Sequence, residues 1–526
     1  MPQVARALSA LDQLRPSTKT LTIAIIAVSA IFLLQVIRFL VSQLRSPLRR
    51  IPGPFLARFG PAWYAWKVGQ GSFPDVNVKL HEKYGKIVRY SPDHYSINDP
   101  QAAKIIYGFG GKQFAKSIWY NGWSVPGARW SLFGDRAVKR HAENRKQYQA
   151  AYSMSSLTRY EPMVDDCVGI FAQRLRELAS TTITIDMRHW LQCYAFDVIS
   201  QITFSKRIGF LDRGEDVGEV IKNLEAYIAF ATFGGIFDGL RRAFHTLVGA
   251  FPSLMKNPTA YMSNFTAKKI QRARADPKAV PQSKDTKTNL DFVQTFLAKH
   301  EANPEVFTPY HIQSGCMANM VAGSDTTAIS LSAVMYYLLK NPATMRTLRN
   351  EIDQFDKQGR LSKVPTFAES QQMPYLQAVF KEALRLHPAT GLPMERVVPE
   401  GGAEISGRFF PEGTVVGINT WVAHRDKTIF GDDADAFRPE RWIEGDPARI
   451  AEMNRYWMPF GLGTRTCIGR HISILEMSKL VPFLIRDFDF SLDRSLISRD
   501  WKVKTYWFTK PVDFRVEVRL REKTGQ

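Results

Sequence analysis

Of the four cysteines in the chain, Cys467 alone lies in a loop suited to holding a reactive sulfur. The run reads Phe460-Gly461-Leu462-Gly463-Thr464-Arg465-Thr466-Cys467-Ile468-Gly469. Glycine reaches backbone conformations barred to other residues, so amides can turn inward onto the sulfur. Those donors, with the positive charge of Arg465, would hold Cys467 as a thiolate at neutral pH. No CxxC partner accompanies it, which excludes a zinc knuckle. A thiolate in a tight apolar loop is what an axial ligand to a haem iron requires.

A second group able to do chemistry lies earlier in the chain. Residues 308–340 form the longest helical pattern, with Thr308 as N-cap and Pro309 at the first helical position. Its middle reads Ala322-Gly323-Ser324-Asp325-Thr326-Thr327. These are poor helix formers, and their side chains compete for backbone hydrogen bonds, so a local kink or groove is expected. A local rule broken inside a long apolar helix points to function.

The spacing Phe-x-x-Gly-x-Arg-x-Cys-x-Gly resembles the haem-binding signature of the cytochrome P-450 family. The run Ala-Gly-Ser-Asp-Thr-Thr is similar to that family's oxygen-activation motif. The resemblance implies haem b as cofactor, with Cys467 as axial iron ligand and Phe460, Gly461, Arg465 and Gly469 around it. It implies Thr326 as proton donor to bound dioxygen and Asp325 as the acid that reloads it. His141 and Arg145, one helical turn apart, match the family's propionate site, joined by Arg396 and Arg465. Glu382-x-x-Arg385, with Arg441 in Phe437-Arg438-Pro439-Glu440-Arg441-Trp442, resembles the family's Glu-Arg-Arg lock, a structural device.

The implied activity is monooxygenation of an apolar small molecule, with O2 and NADPH as co-substrates. No GxGxxG follows a strand, so electrons would come from a separate NADPH–cytochrome P-450 reductase, with cytochrome b5 a second candidate donor. Lys139, Arg140, Lys146, Arg470 and Lys479 could form a basic docking face. Residues 112–133, 227–244, 390–393 and 507–508, with Asn319 and Ala322, are expected to border the pocket. The run from Arg396 to Asn419 resembles fungal microsomal members of the pisatin demethylase type, which serve secondary metabolism or detoxification. A haem-thiolate isomerase or dehydratase needing no reductase is the rival, and Asp325-Thr326 argues against it. A non-enzymatic haem sensor leaves that pair unexplained.

Composition and patterning place these groups. The chain has 526 residues, 45% hydrophobic and 23% charged, with formal charge +20. Its basic residues are dispersed, with no run of five or six like charges, which disfavours nucleic acid and favours anionic lipid or an acidic protein. Scattered cysteines fit free thiols in a reducing compartment. Residues 21–37 carry no charge. The expected division is an N-terminal tail (1–20), a transmembrane signal anchor (21–41), a basic, proline-rich hinge (42–56) and a haem-thiolate domain (57–526). That implies a single-pass endoplasmic reticulum protein with its catalytic domain on the cytosolic face.

Helical patterns are expected at 76–84, 136–152, 161–179, 191–204, 308–340, 342–358 and 374–386, and an exposed loop at 272–289. Strands are expected at 86–91, 94–97, 404–405, 414–418 and 514–520. The fold class is mainly α: the cytochrome P-450 fold, a large helical body with a small β-rich subdomain, preceded by one N-terminal transmembrane helix.

Overall fold

The computed structural model describes residues 46–108, 113–124, 130–181, 184–241, 258–275 and 291–522, with scattered positions at 22–37 and 243–246. The chain divides into two compact units, Met1–Pro52 and Gly53–Gln526. In the first, the described positions between 22 and 37 are helical. Most of the expected anchor lies outside the described residues. Among the described residues, no helix is long and apolar enough to cross a membrane.

The second unit is mainly helical. The helices that build the site are α1 (Val138–Gln149), α2 (Glu161–Ala179), α3 (Met187–Phe204), α4 (Pro309–Lys340), α5 (Pro374–Leu386) and α6 (Arg470–Asp487). Helix α3 starts four residues earlier than its apolar pattern suggested, because the Asp186 side chain caps it by accepting from the His189 amide. Helix α4 opens at Pro309, and the Thr308 amide donates to His311 Nδ1 at 3.1 Å.

Of the kink or groove expected in α4, no break is seen: the helix runs continuously from Pro309 to Lys340. Its hydroxyls bond back along the helix instead. Ser324 Oγ donates to the Met320 carbonyl at 3.0 Å and Thr326 Oγ1 to the Ala322 carbonyl at 2.7 Å. The glycine serves close packing: a Cβ at Gly323 would stand 2.8 Å from Ile199 Cδ1 of α3.

A five-stranded sheet flanks the helices, in the order Ile87–Ser91, His94–Ile97, Val415–Gly417, Arg396–Val397, Ala115–Lys116. The first two, both expected as strands, pair antiparallel as a hairpin. Register places Lys116 opposite Arg396. A second sheet joins Ile185–Asp186, Arg515–Leu520 and Phe488–Leu492, and Val503–Thr505 pairs with Thr509–Pro511. The loop expected at 272–289 is corrected at its start: the helix Pro258–Ala275 takes its first four residues, with Arg272 and Arg274 in its last turn favouring continuation. The remainder of that stretch lies outside the described residues.

Helix α6 carries a departure from core chemistry. Glu476 is fully buried, and neither carboxylate oxygen has a hydrogen-bond partner among the described residues. Burial raises its carboxyl well above the usual range. A carboxyl that keeps its proton when folded and loses it when unfolded stabilises the fold below about pH 4.5. That contribution falls by about 1.4 kcal/mol per pH unit as pH rises towards the folded value. Glu476→Gln cannot ionise, so it should raise the thermal midpoint more at pH 8 than at pH 5.5. Equal effects at both values in a melt would contradict the assignment.

Candidate active site

The Cys467 loop is held by two left-handed glycines, Gly461 at φ 72° and Gly463 at φ 65°. A Cβ on Gly463 would also overlap the Tyr107 carbonyl oxygen. The turn closes when the Cys467 amide donates to the Phe460 carbonyl at 2.8 Å. Gly469 then caps α6, and the amides of Gly469 and Arg470 point at the sulfur. A helix N-terminus is a favourable setting for a thiolate.

Cys467 is exposed, yet enough protein surrounds its sulfur that burial is the largest influence and pushes the thiol up. The two amides and the charges of Arg145 and Arg470 pull it down. The expectation that Arg465 supplies the charge is corrected: among the leading influences on the sulfur the arginines are Arg145 and Arg470. Arg465 instead donates to the Asp135 carbonyl at 2.8 Å.

Around that loop the structure gathers basic side chains. Lys116 is buried, its ammonium 4.0 Å from the Tyr120 ring centroid and 4.2 Å from that of Phe133. Burial and the charges of Arg396, Arg465 and Arg145 lower it well below the lysine range. Burial and Arg396 bring Arg465 down to about 10. His141, buried on α1, falls to about 3 through burial and the charges of Arg465, Lys116 and Arg145. Arg396 is buried beside them, 5.0 Å from the Tyr107 ring.

Like charges opposite one another on a sheet, as at Lys116 and Arg396, destabilise it. The nearby carboxylates are already engaged. Asp135 takes two hydrogen bonds from Arg140, at 2.9 and 2.7 Å, and Glu395 accepts from Tyr90 at 2.8 Å and from Ser117. Arg465 Nη2 is buried with no hydrogen-bond partner among the described residues. This cation surplus, with an orphaned donor, fits the two propionates of a haem whose iron would meet Cys467.

A buried ionic lock braces the loop from behind. Glu382 and Arg385 on α5 meet through two hydrogen bonds of 2.8 Å. Arg441 Nε donates to Glu382 Oε1 at 2.8 Å and Trp442 Nε1 to Oε2 at 2.9 Å. Burial pushes the Glu382 carboxyl up, but Arg385 and Arg441 outweigh it and hold it low. His424 links lock to loop. Its Nδ1 donates to the Arg385 carbonyl at 3.0 Å, and its Nε2 accepts from the Met458 amide at 2.9 Å. Burial and the Arg385 charge depress it to about 3, so it stays neutral and can keep that acceptor role.

On α4, Asp325 is buried and Thr326 half-buried beside exposed Ala322. The expected pocket border partly gathers. The Trp507 ring lies 4.9 Å from Trp119 and 5.9 Å from Phe133, and the Gly391 amide donates to the Trp507 carbonyl at 3.0 Å. Asn319 does not join it: buried, it accepts from Tyr152 at 2.5 Å and donates to Thr203 at 3.1 Å. Lys479 is likewise removed from the docking face. It is buried between Glu161 at 2.9 Å and Asp165 at 2.8 Å, whereas Lys139, Arg140, Lys146 and Arg470 are exposed.

Sequence reasoning missed Lys116 as a member of the cation cluster, His424, Gly463 and the partners of Asp325. Only Gly463, inside the quoted loop, carried a local signal.

The sequence profile of cytochrome P450 matches residues 52–506. The chain is 37% identical over 473 residues to a pisatin demethylase of Fusarium vanettenii, covering 90% of this chain and 89% of that one. It is 36% identical to a cytochrome P450 monooxygenase of Aspergillus terreus, covering 86% and 93% of the two chains. It is also 36% identical to the cytochrome P450 monooxygenase cicH of Emericella nidulans, covering 94% and 98%. The chain belongs to the cytochrome P450 family of haem-thiolate monooxygenases.

Lys116 allows a test with two opposite signs. Lys116→Met should stabilise the haem-free chain, because folding no longer has to bury a basic group among like charges, a gain larger than the lost bond to the Phe133 carbonyl. It should also weaken haem binding by about tenfold or more, the scale of one charge-assisted hydrogen bond. Haem titration and thermal melts read both. Unchanged haem affinity would remove Lys116 from the site.

Proposed function

We propose that this protein is a membrane-anchored monooxygenase that oxidises an apolar small molecule, drawing electrons from an NADPH-dependent reductase. The observation that carries the reading is the pairing of the Cys467 loop with the surplus of basic groups at buried Lys116 and Arg396 and half-buried Arg465. Haem held there would supply the activation of O2, its thiolate ligand favouring O–O cleavage.

The chain's own residues supply position and protons. Cys467 would ligate the iron, backed by the Gly469 and Arg470 amides. Lys116, His141, Arg145, Arg396 and Arg465 would hold the propionates. Thr326 would give up a proton from Oγ1, and Asp325, the adjacent acid, would reload it. Trp119, Phe133 and Trp507 offer an apolar, aromatic wall to the substrate.

The uncharged stretch 21–37 supports an anchor in the endoplasmic reticulum membrane, with residues 42–56 as hinge and the catalytic domain in the cytosol. The exposed Lys139, Arg140, Lys146 and Arg470 support docking of an acidic reductase or cytochrome b5. Kinship to fungal monooxygenases, a pisatin demethylase among them, supports a role in secondary metabolism or in detoxification.

Thr326→Ala tests the reading against a reductase-independent isomerase. The variant should bind haem and accept electrons. Product formed per NADPH consumed should fall by about tenfold or more, with hydrogen peroxide taking its place. Parent-level coupling in the variant, or product made by the parent without an electron donor, would overturn it.

A further inference from the structure

We infer that Lys510 is a positioning residue that holds Asp325 in a closed setting, and that occupation of the aromatic pocket releases it. The inference rests on the reading of Asp325 and Thr326 as the proton-delivery pair.

Asp325 is 1% exposed, and both its oxygens are engaged. Oδ1 accepts from Gln192 Nε2 on α3 at 2.6 Å. Oδ2 stands 2.7 Å from Lys510 Nζ, as an ion pair without the alignment of a hydrogen bond. Lys510 also holds Glu225 Oε1 at 3.1 Å. Side-chain exposure rises along the series, 1% at Asp325, 16% at Lys510 and 48% at Glu225, so the ammonium stands between the buried acid and solvent. Thr326 Oγ1, meanwhile, donates to its own helix at Ala322. In this arrangement the acid is committed to Gln192 and Lys510, and the hydroxyl to the backbone.

The two elements that carry the clamp also carry aromatic residues expected to border the substrate pocket. Lys510 lies in the strand Thr509–Pro511, just after Trp507 and Phe508. Trp507 packs on Trp119 at 4.9 Å, and Phe508 lies 6.4 Å from Trp123. Glu225 lies on the helix Val220–Ile236, which also carries Tyr227. The Tyr227 hydroxyl donates to the Trp123 carbonyl at 3.1 Å. The hairpin bearing Lys510 has three residue pairs, so a ligand that shifts Trp507 or Phe508 carries the lysine with it.

Once Lys510 swings towards Glu225, the Asp325 carboxylate can take a proton from solvent. It passes that proton to Thr326 Oγ1 as the hydroxyl gives up its own, and returns to the carboxylate form. No electron is needed for this step. With the pocket empty, the clamp withholds protons and limits wasteful oxidation of NADPH.

The test uses the haem-loaded full chain with reductase and no added substrate. Lys510→Met should raise NADPH oxidation and oxygen consumption by about fivefold or more, the lower end of coupling between two sites, with the extra oxygen reduced to water. Lys510→Arg, which keeps charge and reach, should return both to the parent rate. Adding Asp325→Asn to Lys510→Met should suppress the increase. In thermal melts of the same proteins, Lys510→Met should lower the midpoint, and the added Asp325→Asn should recover part of the loss, since no buried charge is then left unpaired. Parent-level oxidation in Lys510→Met, with Asp325→Asn alone still slowing turnover, would overturn the clamp and leave the relay reading standing. An increase that persists in the double variant would overturn the relay role of Asp325 itself.

Discussion

The structure is governed by a surplus of positive charge placed where water is scarce. Lys116 and Arg396 face each other across adjacent strands, Arg465 reaches in from the cysteine loop, and His141 and Arg145 enter from α1. Burying like charges together is unfavourable unless an anion joins them. His141 is held neutral, and Lys116 is driven well down, first by burial and then by this shared field. The sheet, the loop and α1 thus bring basic groups together where the nearby carboxylates are already engaged, the setting expected of the proposed propionate site.

A second charge problem, solved internally, fixes the loop that must meet that partner. Glu382, Arg385 and Arg441 are all buried, and the guanidinium protons left over from the carboxylate go to backbone carbonyls at Phe430, Asp433, Ala434 and Ala436. Such a lock is demanding: removing one member leaves an unpaired buried charge, a loss of about 3–5 kcal/mol. Neutral His424 carries its rigidity to Met458 and so to the start of the cysteine loop. The two clusters differ in kind: the proposed propionate site gathers basic groups, and the lock neutralises its own charge.

What could be read from the sequence follows the range of each interaction. The cysteine loop and the Thr308-Pro309 start of α4 depend on backbone conformation within a few residues, so glycine, proline and hydroxyl spacing reveals them. The long helix was legible for the same reason, but its unbroken course was not, because Ser324 and Thr326 could satisfy their hydroxyls on α4 without opening it. Pairings across the chain left no local trace. Lys116 meets Arg396 through strand register, and Asp325 meets Lys510 through a terminal hairpin. Lys479 was misplaced because a lone lysine looks solvent-exposed until Glu161 and Asp165 are seen to enclose it.

The central claim is that the Cys467 sulfur is the ligand towards which these charges are organised. The most direct measurement is the absorption spectrum of haem-loaded, reduced protein under carbon monoxide, for the parent and for Cys467→Ala. The parent should show the red-shifted Soret band of a thiolate-ligated haem, and the variant should lose that band while its thermal unfolding stays close to the parent's. A normal thiolate band in Cys467→Ala would contradict the account, because it would place the iron ligand elsewhere in the chain.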